Sequence, residues 1–205
     1  MRITKDAIER RNEILDTAEK LFSTIGYEET TVNDILDTIH IAKGTFYYHF
    51  KSKAEVLDGI IKRRGDQNME AAKAIAGSDL PAPQKLLAIM FSQKPKDAAQ
   101  QELIVAIEAA ENSRLFVKSL TDILTRLAPL VGDVISQGVK EGVFDTPYPY
   151  ESAELLLAAV HALFDNPDFH LSKAQTRQKA IAFLYAAEKI CGGQPGIFQA
   201  LASLF

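Results

Sequence analysis

The side chains best able to do chemistry in this 205-residue chain are four histidines, one cysteine and one short cluster of hydrogen-bonding groups. His40, His49, His161 and His170 have no close ligand spacing, and Cys191 stands alone, so no metal site is expected. No Ser-His-Asp order, glycine-rich phosphate loop or pair of catalytic carboxylates stands out, so neither an enzyme nor a cofactor is expected. The cluster Lys43-Gly44-Thr45-Phe46-Tyr47-Tyr48-His49 is different. Phe46 and Phe50 lie four apart and share one helical face. Thr45, Tyr47, Tyr48 and His49 are left to point elsewhere. Two adjacent tyrosines beside lysines are odd for an ordinary surface, but they suit contact with phosphates and base edges.

Short helices must hold that cluster. Thr31 can cap a first helix, with Asp34 three residues on as a capping box requires. Val32, Ile35, Leu36 and Ile39 then recur at helical spacing. The turn is Ile39-His40-Ile41-Ala42, and the second helix runs from Lys43 to His49. Two short helices across a tight turn, the second rich in exposed donors, make a helix-turn-helix. Upstream, a helix from about Lys5 to Ile25 carries an apolar stripe of Ile8, Leu15, Ala18, Phe22 and Ile25, and Gly26 ends it. The stripe is expected to pack on Ile35, Phe46 and Phe50 as a three-helix headpiece.

Composition is ordinary for a globular protein, 47% hydrophobic and 24% charged. One cysteine permits no internal disulfide, which fits a reducing cytoplasm. No signal-peptide core is visible at the N-terminus, and the longest apolar run, near Leu155 to Phe164, is too short to cross a membrane. The net charge of −4 argues against a general nucleic-acid coat. Between residues 40 and 64, however, Lys43, Lys51, Lys53, Lys62, Arg63 and Arg64 face only Glu55 and Asp58, a local +4. A small basic footprint on an acidic body suits a site-specific binder.

Beyond the headpiece only helix signals follow, about nine or ten helices in all, with no strand alternation and no internal repeat. Ser52 and Glu55 form a capping box for a helix to about Ile75, a connector carrying Val56, Leu57, Ile60, Ile61, Ala71, Ala72 and Ile75 inward. The stretch from Gly77 to Pro83 is the clearest break. Pro83 can open a helix with Leu86, Leu87, Met90 and Phe91, ended by Lys94-Pro95. Another spans about Asp97 to Ala110. A long pattern from Leu115 to about Glu141 contains Pro129, which should kink or split it. The helix near Glu151–Phe164 is apolar all round and must be covered on more than one side. Ser172 with Gln175 caps a last helix to about Cys191, followed by a short apolar tail.

The residues Ile14-Leu15, Ala18, Phe22, Gly26-Tyr27, Thr30-Thr31-Val32, Ile35 and above all Lys43 to Lys53 resemble the TetR/AcrR family of bacterial transcriptional regulators. The close match covers the first quarter of the chain. His40 departs from the glycine usual in the turn, and Ala42 from the usual Ser or Thr cap. The resemblance implies an all-α protein, with a DNA-binding headpiece over residues 1–52 and an effector-binding and dimerisation domain over 53–205. It implies contacts to double-stranded DNA from Thr31, Ala42, Lys43, Gly44, Thr45, Tyr47, Tyr48, His49 and Lys53. Lys43, Gly44 and Thr45 would lie against base edges, Tyr47 and His49 against phosphates, and Thr31 and Lys53 at helix N-termini near phosphates. An effector pocket would be walled by Met90, Phe91, Leu103, Ile107, Phe116, Leu120 and Leu124. Gln93, Gln101, Glu108, Glu111, Asn112 and His161 would serve as its polar anchors. Leu156, Ala159, Val160 and Leu163, with Phe183, Leu184 and Ala187, would form a homodimer interface. The implied function is a homodimeric regulator, in most such proteins a repressor, released from a palindromic operator by a small molecule. The alternative is a DNA-binding dimer without an effector, controlled by a protein partner.

Overall fold

A computed structural model describes residues 6–92, 117, 119–164 and 171–198. They contain eight α-helices and no strand, so the all-helical expectation stands, with a helix count slightly below nine or ten. The helix expected at about Asp97–Ala110, and the break at Lys94-Pro95, lie outside the described residues.

Asp6 caps α1 (Ala7–Thr24), its carboxylate accepting the N–H groups of Ile8 and Glu9. Ile14, Leu15, Ala18 and Phe22 form the buried stripe. Ile8 and Ile25, expected in that stripe, are 71% and 52% exposed. They sit at the two ends of the helix, where the neighbouring elements no longer cover the face. Gly26 takes φ +102, which L side chains rarely adopt, and turns the chain out of α1. Thr30 is fully buried and returns both its N–H and its hydroxyl to the Gly26 carbonyl.

α2 (Val32–Ile39) starts where the Thr31 cap placed it and takes in Ile39, expected in the turn, while α3 (Lys43–His49) meets its expected bounds to the residue. α4 (Lys53–Ala76) is the long connector. Its capping differs in detail from the expected box: the Ser52 hydroxyl accepts the Glu55 N–H, but the Glu55 carboxylate reaches the N–H of Lys51 rather than that of Ser52. The described residues form two compact units that divide within α4, after Gln67. Val56, Leu57 and Ile60 are buried in the first unit. There Gly59 lets the helix approach closely: a Cβ on it would stand 3.0 Å from Leu15 and 3.2 Å from Phe50.

The second unit takes Met69 and Ala72 from α4 and adds α5 (Ala82–Ser92), α6 (Ala128–Lys140), α7 (Pro149–Phe164) and α8 (Lys173–Ile190). Its core comprises Leu86, Leu87 and Ile89 of α5, Val131, Val134 and Ile135 of α6, Ala153, Leu156 and Leu157 of α7, and Leu184 and Ala187 of α8, closed by Phe144 and Phe198. Pro129 does not split its helix. The chain opens into a π turn over Ile123–Leu127, where the Ala128 N–H reaches the Ile123 carbonyl, and Pro129 then lies in the first turn of α6. The wider turn accommodates a residue that lacks an N–H and would clash with the preceding turn of an α-helix. One buried cation is satisfied inside the unit: Lys85 donates to the Ala76 carbonyl at the end of α4 and to Gln137 of α6.

Candidate nucleic-acid interface

The site is built from the inside outward. Phe46 and Phe50 are both fully buried, with ring centroids 6.2 Å apart. Each contributes roughly 1.5–3 kcal/mol of burial to holding α3 in place. With that face anchored, the opposite face must be presented to solvent. Tyr47 and Tyr48 are 47% and 78% exposed, Ala42, Lys43 and Gly44 are exposed, and Thr45 and His49 are half-buried. A Cβ added to Gly44 would meet nothing within 4 Å, so no contact among the described residues explains a glycine there. Lys43 leans over the Tyr47 ring at 5.9 Å, and Tyr48 packs edge-on against His49 at 4.9 Å. Burial first, then the charges of Arg11 and Arg10, hold the His49 imidazole below its ordinary 6.5, so it is neutral near pH 7.

The turn holds α2 and α3 together despite its two departures. His40 adopts the left-handed conformation, φ 52 and ψ 47, which His tolerates better than most residues. Ala42 stands at the N-cap of α3 with no side-chain hydrogen bond to offer. At α2 the capping box is complete. Thr31 Oγ1 accepts the Asp34 N–H at 3.2 Å, and the Asp34 carboxylate accepts the Thr31 N–H at 2.7 Å and its hydroxyl at 2.8 Å. Those bonds, the backbone one foremost, lower the Asp34 carboxyl below its usual range.

The expected contact residues therefore divide. Ala42, Lys43, Gly44, Thr45, Tyr47, Tyr48 and His49 come together on or beside α3. Thr31 has committed its own N–H and hydroxyl to Asp34. Lys53 gives two of its three donors to the carbonyls of Tyr27 and Glu28, at 2.6 and 3.2 Å, and lies 4.3 Å over the Tyr27 ring. The local +4 is also reshaped. Arg63 binds Asp16 and Glu19, Arg64 binds Glu19, and Lys62 binds Asp66. Arg63 and Arg64 thus serve the contact between α1 and α4, while Lys62 stays exposed and pairs only along α4. The acids that neutralise Arg63 and Arg64 are more than 40 residues away in sequence, so a count over residues 40–64 could not show it.

In the second unit, Met90 and His161 are buried, and Leu120 and Leu124 are half-buried. Leu103, Ile107, Glu108, Glu111 and Phe116, with Gln93, Gln101, Asn112 and the Phe91 side chain, lie outside the description. Of the expected interface residues, Leu156, Leu184 and Ala187 point into their own core, at 1%, 6% and 1% exposure. Ala159, Val160, Leu163 and Phe183 are half-buried. The large apolar side chains exposed on these two helices include Leu155, Ile181 and Tyr185, at 62%, 52% and 53%. On a helix apolar all round, spacing alone does not say which stripe its own core takes. No group of three or more metal-ligating side chains that could hold an ion, and no helix long and apolar enough to cross a membrane, occurs among the described residues.

Residues 14–60 match the family model described as bacterial regulatory proteins, tetR family, and residues 96–200 match that of the tetracyclin repressor-like C-terminal domain. The chain is 33% identical over 149 residues to the HTH-type transcriptional repressor KstR2 of Rhodococcus jostii strain RHA1, covering 70% of this chain and 72% of that one. A solved transcriptional regulator from Cytophaga hutchinsonii shares the fold at a TM-score of 0.69 and 17% identity, covering 88% of this chain and 95% of its own. SmeT, solved in complex with triclosan, does so at 0.63 and 21%, covering 92% and 94%. With both family models matched in order and a helix-turn-helix presenting its second helix outward, this chain belongs to the TetR family of bacterial regulatory proteins, which are DNA-binding transcriptional regulators and not enzymes.

Proposed function

We propose that this regulator is a homodimeric repressor that holds a palindromic operator and is released from it by a small molecule bound in its C-terminal unit. The observation that carries the DNA contact is the outward face of α3. Lys43, Gly44, Tyr47 and Tyr48 are exposed, with Thr45 half-buried between them, on a helix whose other face is locked by Phe46 and Phe50. Lys43, Gly44 and Thr45 open the helix and reach base edges. Tyr47, Tyr48 and His49 donate to phosphates, with the third Lys53 donor and the α2 N-terminus at Thr31 beside them.

Two headpieces related by a twofold axis discriminate a palindrome far better than one headpiece reading a few base pairs. Leu155, Ile181 and Tyr185, exposed on the adjacent helices α7 and α8, supply apolar surface for that pairing. A relative named as a repressor supports the sign of the effect, and SmeT with triclosan is a protein of the same fold solved with a small molecule. An effector that favours one arrangement of α4 and DNA that favours another would exclude each other through reciprocal linkage.

The test is fluorescence anisotropy with the promoter duplex upstream of the protein's own gene, wild type beside Thr45→Ala/Tyr47→Ala. Saturable binding, competed by that duplex but not by random DNA and lost in the double variant, is the expected result. A folded dimer that binds neither this duplex nor others from its genomic neighbourhood at low salt would overturn the reading. Binding insensitive to every small molecule but altered by a protein partner would replace the effector with a docking protein.

A further inference from the structure

We propose that Arg11, on α1, is a phosphate-binding residue of the DNA interface, holding the operator backbone at the C-terminal end of the recognition helix. This rests on the DNA-binding reading above and adds a contact from outside the helix-turn-helix.

The Arg11 guanidinium lies over the ring of Phe50, 4.5 Å from its centroid, and Phe50 is the residue that ends α3. Its bed is completed by Gly59 of α4, where a Cβ would stand 3.6 Å from the guanidinium. Stacking on a fully buried ring fixes the group in place without using any of its five N–H donors. The other described arginines of the first unit are all paired with carboxylates. Arg10 binds Glu13, Arg63 binds Asp16 and Glu19, and Arg64 binds Glu19. Arg11 makes no ion pair among the described residues, although its side chain is exposed. A positioned planar cation with unused donors matches the geometry of a phosphate.

The surroundings point the same way. Arg11 and Arg10 help to depress protonation of His49, so the field at this end of α3 is positive before any anion arrives. Lys43 stands at the other end. α3 has 7 residues, a length of about 10 Å, comparable with the ~12 Å width of the major groove. Two cations bracketing it can reach backbone on either side of the bases that it reads. Among the other cations, Lys53, Lys62, Arg63 and Arg64 already have partners within the unit.

The experiment is a salt titration of operator binding by the full chain, comparing wild type, Arg11→Met, Arg11→Lys and, as a charge control far along the chain, Lys140→Met. Arg11→Met keeps an apolar stem over Phe50 and removes the charge. It should lower the slope of log affinity against log salt by about 0.9, and weaken operator and random duplex by the same factor. Arg11→Lys should keep the slope and lose part of the affinity, and Lys140→Met should match wild type. Thermal melts accompany each variant, and Arg11→Gln replaces Arg11→Met if the latter melts early. A folded Arg11→Met or Arg11→Gln with the wild-type slope would overturn the assignment. If wild type itself binds no duplex, the DNA reading falls and this contact with it, whereas wild-type binding with an unchanged variant slope removes the Arg11 contact alone.

Discussion

Gly44 separates what folding requires from what recognition requires. Nothing among the described residues occupies the space that a Cβ would fill there. Alanine is also the better helix former, so Gly44→Ala should raise stability by about 0.5 kcal/mol. Against DNA the same methyl would hold the helix N-terminus off the groove floor, and affinity should fall roughly tenfold. A melting curve and an anisotropy titration on one sample check both signs. His49 carries a second opposition of signs. Its pKa in the free protein lies below the ordinary 6.5, so the native state binds fewer protons than the unfolded chain, and stability falls as the pH drops through 6.5 and below. A phosphate beside the ring favours the charged form and raises that pKa, so DNA binding takes up protons. Affinity should therefore rise from about pH 8 to about pH 6 while the free protein becomes less stable, and His49→Gln should flatten both trends.

At the scale of elements, the headpiece is assembled by caps and by ionic contacts between helices. α2 has a complete capping box and α3 has none, since Ala42 offers no acceptor to the first turn. Ala42→Ser should supply one and stabilise the chain by about 1 kcal/mol, read as a shift in the urea midpoint with unchanged slope. The clasp of Arg63 and Arg64 on Asp16 and Glu19 ties α4 to α1 over four charge-assisted bonds of 2.6–2.9 Å. Through Gln67, α4 thus belongs with the headpiece. Further along, Lys85 caps its last turn at Ala76 with an ammonium held by Gln137.

At the scale of the molecule, the reading requires two copies. Leu155, Ile181 and Tyr185 are exposed in the monomer, so replacing them should change its stability by no more than about 0.5 kcal/mol. Ile181→Glu/Tyr185→Glu should nevertheless shift the protein to monomer in sedimentation velocity and cost more than tenfold in affinity for a palindrome, because each headpiece would then bind alone. A dimer that survives both changes would place the twofold contact elsewhere.

The sequence by itself determined the headpiece: the all-helical class, the start of α2, the bounds of α3, and the burial of Phe46 and Phe50. These depend on local physics, namely caps, turn sterics and an apolar period of 3.6 within one short segment, and such signals are complete in the residues that carry them. Tertiary structure decided the remainder. Which lysines and arginines stay free for DNA depends on acids more than 40 residues away. The stripe of α7 that its own core claims depends on packing against α6, and that of α8 on packing against α7. The way the chain passes Pro129 depends on room for a π turn. The stacking of Arg11 on Phe50 joins two residues 39 apart in sequence through a contact between α1 and the end of α3. Each of these is settled by what lies opposite a side chain in space, and no periodicity along the chain encodes that.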